Sequence, residues 1–148
     1  MRGLSLVIGL VLTAVSARES NAQLLWVSGS PPALRIQTAV AGSTLGAVSD
    51  NSTTYTLYNG SNANAKIVGR INTAMPTGVT LAVTLQAPGG ANSTGAVSLT
   101  TTNKDLVTSI DRNTLTTRSI TYQLSATLSA GAVSSQSRTV TLTVVTGA

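Results

Sequence analysis

The chain has 148 residues, 42% of them hydrophobic and only 9% charged, with no Cys, His or Phe. Those absences exclude disulfide staples, thiol nucleophiles, Cys/His zinc sites and Ser-His-Asp catalysis. Nine Lys plus Arg against four Asp plus Glu give a net charge of +5. Beyond the first 22 residues the basic side chains (Arg35, Lys66, Arg70, Lys104, Arg112, Arg118, Arg138) stand singly. A nucleic-acid interface concentrates such charge and interleaves stacking aromatics, so nucleic acid is not an expected partner.

Met1-Arg2-Gly3 supplies a short positive start, and Leu4–Val15 (LSLVIGLVLTAV) is an apolar run of h-region length. Small residues at Ser20 and Ala22 follow, so residues 1–22 read as a signal peptide cleaved after Ala22. No later run approaches the roughly 18 apolar residues of a membrane helix, and no Cys follows the leader to carry a lipid. The expected location is the cell surface or the medium.

Residues 23–33 (QLLWVSGSPPA) hold the only Trp and form an N-terminal arm or linker ahead of the main domain. Two readings stand. Trp26 caps the core from an ordinary first strand, or the segment is a mobile arm that pairs with another molecule. Pro31-Pro32 prevents it from running straight into the next strand.

Residues 34–148 carry period-two patterning. Leu34, Ile36 and Val40 open it; Tyr55 and Leu57, then Val79 to Leu85, then Val97 and Leu99 continue it. Ile120 to Leu128 and Val140 to Val144 complete the set, each with aliphatics on one face and hydroxyls on the other. Ala65–Ile71 is a less regular strand, whose Gly69 marks a bulge or a close backbone approach. Lys104–Ile110 breaks the period, pairing Leu106 and Val107 with Ile110, and reads as one helical turn crossing between sheets. Asn59-Gly60-Ser61-Asn62, Met75-Pro76-Thr77-Gly78, Pro88-Gly89-Gly90 and Ala130-Gly131 separate the strands. About seven antiparallel strands at this spacing predict an all-β, immunoglobulin-like β-sandwich following the signal peptide.

Catalytic equipment is sparse. Asp50, Asp105 and Asp111 are the only carboxylate side chains after the leader, and a glycosidase would need Asp105 and Asp111 facing one cleft. Neither Asp50-Asn51-Ser52 nor Asp111-Arg112-Asn113 has calcium-loop spacing. No phosphate loop is present, so no enzyme activity, metal or cofactor is expected. Asn51-Ser52-Thr53, Asn59-Gly60-Ser61 and Asn92-Ser93-Thr94 match the N-glycosylation sequon.

Thr73–Leu81 (TAMPTGVTL), Ile120–Thr127 (ITYQLSAT) and the closing Arg138–Val144 (RTVTLTV) resemble segments of small secreted bacterial β-sandwich proteins. The whole plan is similar to cysteine-free fimbrial subunits of chaperone-assisted pili. That resemblance implies an incomplete sandwich completed by an N-terminal strand of the next subunit. The donor would come from residues 23–40, with Leu34, Ile36 and Val40 inserted, or else Leu25 and Val27. The expected function is therefore a non-enzymatic, exported structural or surface protein that associates with itself or with other surface subunits. Unguarded Val-Thr strands such as Ser137–Val145 support pairing. The alternative is a monomeric extracellular module binding carbohydrate or protein, with Trp26 and Tyr58 as ligand contacts.

Overall fold

The computed structural model describes residues 22–36 and 46–147. Residues 1–21 of the expected leader, and Val40 of the expected donor strand, lie outside them. The described residues form nine strands: β1 (Gln23–Ser28), β2 (Val48–Asn59), β3 (Ala65–Ile71), β4 (Val79–Leu85) and β5 (Asn92–Ser93), then β6 (Val97–Ser98), β7 (Lys104–Ile110), β8 (Thr114–Ala126) and β9 (Val140–Val145). A 3-10 turn at Leu128–Ala130 is the only helical piece among the described residues. No helix among them is long and apolar enough to cross a membrane.

Two antiparallel sheets result, one ordered β1-β2-β8-β4-β6 and the other β5-β7-β3-β9. Their facing sides enclose one core. Tyr55, Leu57, Val83, Leu85, Ile120 and Tyr122 from the first sheet meet Ile67, Ile71, Leu106, Val107, Ile110 and Val140 from the second. Methyl-bearing side chains fill most of this space, because two tyrosines are its only aromatics. The expected Val97 strand is the two-residue β6, while β1, β5 and β7 stand outside the expected seven.

Lys104–Ile110 is a strand, not a helical turn. Ala65 pairs with Ile110, Ile67 with Val107, and Val68 with Asp105. β7 thus spends three steps where β3 spends two, then two steps where β3 spends one. Each extra residue is a bulge, and Ser109 takes a left-handed φ of 57° within the first. The bulges turn Leu106, Val107 and Ile110 all inward, which is why their spacing imitates a helix.

A third bulge lies in β2, between Asp50 and Thr53. There the Asp50 carboxylate accepts from the Ser52 N–H at 3.1 Å and from the Ser52 hydroxyl at 2.7 Å. This local loop satisfies the extra residue's polar groups.

The described start of the expected Leu34 strand, residues 34–36, is not a strand. Leu34 and Ile36 are half-buried in irregular backbone that follows Pro31-Pro32, and neither pairs with a sheet. Proline removes ladder donors and fixes φ at this point, which separates the segment from β1. Gly29, at φ 85°, begins that departure.

At one end of the sandwich Asn59 is fully buried. Its amide donates to the Asn62 carbonyl (2.8 Å) and the Asp111 carbonyl (2.7 Å) and accepts from the Gln23 amide (3.2 Å). Backbone bonds from the Gly60 N–H to Ala22 and from the Asn113 N–H to Gly60 close the same knot. One side chain therefore ties the start of β1, the β2–β3 turn and the β7–β8 turn together. The Asn59 sequon is thereby occupied by structure.

Candidate functional site

The outer face of the five-stranded sheet carries the most concentrated set of exposed rings and aliphatics. Along β1 the inner positions are Leu25 and Val27, so Leu24, Trp26 and Ser28 project outward. The register then fixes their neighbours. Leu24 pairs with Tyr58, and Tyr58 with Leu115; Trp26 pairs with Thr56, and Thr56 with Thr117; Ser28 pairs with Thr54, and Thr54 with Ser119. Three rows of three side chains stand on β1, β2 and β8. One row is Leu-Tyr-Leu, and the other two are mostly hydroxyls, with Trp26 at the β1 end of the middle row.

Trp26 is 38% exposed, Tyr58 40% and Leu115 69%. Trp26 and Tyr58 are diagonal neighbours, a relation that sets side chains about 7–8 Å apart. Beneath them the Thr56 and Thr117 hydroxyls hydrogen-bond to each other at 2.8 Å across the strands. No Asp, Glu, Lys or Arg occupies these rows, since the half-buried Arg118 lies opposite Tyr55 on the inner side. The two residues singled out from the sequence thus share one face. Leu24 and Leu115, which flank Tyr58 in its row, were hidden because only long-range register brings them there.

The second feature is a pair of open sheet edges. Among the described residues β1 bonds only to β2 and β9 only to β3, so each presents one side unpaired by them. The two strands approach each other along one flank of the sandwich. Val27, Leu142 and Val144 are only partly buried there. Pairing templates of this kind are usually blunted by charge or proline, and β9 (VTLTVV) has neither.

A third feature is a cavity of about 350 Å³ beneath Pro31–Arg35, floored by Leu81, Tyr122, Leu124 and Val140. Leu34 lines it as a half-buried plug against the core. Burial pushes the Tyr122 phenol up from its usual range, and the Asp50 charge adds to that, while the neighbouring Thr53 hydroxyl opposes it. Neither the Tyr122 nor the Thr53 hydroxyl reaches a partner with normal hydrogen-bond geometry. Burial likewise raises the Tyr55 phenol to about 12, against the favourable charge of Arg118. That phenol donates to the Gln86 carbonyl at 2.6 Å.

The carboxylates do not form a pair. Asp105 lies near the start of β7 and is bound to Lys66 at 3.1 Å. Asp111 lies just past the other end of β7, on the order of 15–20 Å away by strand rise. No group of three or more His, Cys, Asp or Glu side chains converges among the described residues. No family model, curated protein or solved structure matches the chain.

Proposed function

We propose that this is an exported, non-enzymatic surface protein with an immunoglobulin-like sandwich, a fimbrial-type subunit that assembles by exchanging its first strand. The observation that carries the reading is the placement of β1. It is a six-residue edge strand whose ladder partner among the described residues is β2 alone, yet its Leu25 is inserted into the shared core. The connection that follows runs from Gly29 to Ala47, a length of chain that reaches about 60 Å when extended. A strand followed by a connection of that length can pair with β2 of its own chain or of a neighbour through the same register.

The donor side chains are then Leu25 and Val27. In this reading Leu34 and Ile36 lie in the connection after β1 and not in the donor strand. The open β9 edge on the same flank offers a second pairing surface. The separation of Asp105 from Asp111 supports a role without catalysis.

The chain has no cysteine, which makes the test direct. Ser28 and Thr54 face each other at the end of β1, so a S28C/T54C chain forms a disulfide wherever β1 meets β2. Oxidised after incubation at high concentration, it is expected to give a ladder of cross-linked species on denaturing gels. A cross-linked monomer alone at every concentration would overturn the proposal.

A further inference from the structure

We infer that the outer face of β1, β2 and β8 binds a neutral, β-linked glycan, with the Trp26 and Tyr58 rings as its stacking platform. The chemistry of the face selects the ligand. A pyranose whose hydroxyls are all equatorial has two flat C–H faces and a rim of hydroxyls. The C–H faces need exposed aromatic rings, and Trp26 and Tyr58 supply two on adjacent strands. The rim needs uncharged donors and acceptors, which Thr56, Thr117 and Ser119 supply in the neighbouring rows. Thr56 and Thr117 already share one hydrogen bond, so the pair is held in place and keeps one donor and several lone pairs for a ligand.

Charge and size argue in the same direction. With no ionisable Asp, Glu, Lys or Arg in the three rows, nothing there recognises a uronic acid, a sulfated sugar or a phosphate. Three strands and three rows span roughly 10 by 14 Å between backbone positions. That suits two or three sugar rings. It is far below the roughly 800 Å² that each partner buries in a stable protein interface. A second copy seated on this face is therefore the weaker occupant.

The platform is shared between β1 and β2. It forms whether β1 comes from the same chain or from a neighbour, so this inference stands independently of strand exchange.

Trp26 is the only tryptophan, so its fluorescence reports the site without labelling. Full mature chain titrated with cellohexaose and with chitohexaose is expected to show a saturable change in Trp26 emission for at least one of them. Tyr58→Ala keeps the reporter and is expected to weaken binding by about tenfold or more. Calorimetry on Trp26→Ala is expected to show the same loss, with circular dichroism confirming that both variants fold. Raising the salt to 1 M should leave the affinity unchanged, because no charge is engaged. Two results would overturn the inference. One is no response to either oligosaccharide at millimolar concentration by the folded chain. The other is an emission shift that follows protein concentration alone and accompanies dimer formation, which would identify a second copy as the occupant.

Discussion

Gly69 lies directly under Leu106. A Cβ built on Gly69 would stand 2.6 Å from the Leu106 Cδ1, and 3.3 Å from Leu142 on the other side. Leu106 is the extra residue of a β7 bulge and is fully buried, so it has no open space to retreat into. The missing side chain in β3 makes room for the surplus one in β7. Bulge and glycine are two halves of one packing arrangement.

Gly69→Ala is expected to destabilise the fold by about 1–3 kcal/mol through overpacking, read from denaturant unfolding. In a Leu106→Ala background the same substitution should cost much less, because the clashing methyl is gone. Equal costs in the two backgrounds would refute the coupling.

Asn59→Ala removes two donated bonds and one accepted bond from a buried side chain. A loss of about 1–3 kcal/mol is expected, since the Asp111 and Asn62 carbonyls lose their donor. Hydrogen exchange should also quicken at the Asn113 amide, which belongs to the same knot.

Stability should fall in alkali. The Tyr55 phenol has its folded pKa raised to about 12 against an ordinary 10, chiefly by burial, and Tyr122 is raised in the same direction. A raised acid keeps its proton in the fold while the unfolded chain loses it, so unfolding becomes easier as pH climbs from about 10 to about 12. Melting temperatures measured across that window should drop steadily. Tyr55→Phe should start lower at neutral pH, having lost the Gln86 bond, and should show a shallower alkaline decline.

Thr143 is exposed on the edge strand β9, in the row between Lys66 and Arg70 of β3. Thr143→Glu puts a charge on the open edge, and the two cations beside it make that charge acceptable. Stability should stay within about 0.5 kcal/mol of the parent. Any multimer built through the β9 edge should shrink in light scattering, whereas assembly through β1 alone would be unaffected.

Several strands could be read directly from alternation. Ala65–Ile71 and Val79–Leu85 match β3 and β4 at both ends, and Val140–Val144 falls one residue short of β9. These strands keep an unbroken apolar inner row. Where the reading failed, the row itself is irregular. The β7 bulges put Leu106, Val107 and Ile110 on one side. In the first part of β8 the alternation is inverted, because β4 ends opposite Ile120 and leaves Thr116 and Arg118 facing inward beyond it. There Leu115 is the outward residue, so no apolar row marks the strand. Trp26 and Tyr58 could be picked out one at a time as ring-bearing residues. Their sharing a face depends on pairing across 32 residues of chain, which local pattern does not encode.

The Asn59 knot also bears on how the protein is made. In a eukaryotic secretory pathway the glycosylating enzyme meets each sequon on the emerging chain, before any turn has closed. A glycan placed on Asn59 at that moment would occupy the amide that must later face Asn62 and Asp111. It would also be far too bulky for a fully buried position. Material produced in such a host should therefore divide into an unmodified, folded fraction and a modified fraction that never closes this end of the sandwich. The choice of expression system is thus decided by one buried side chain.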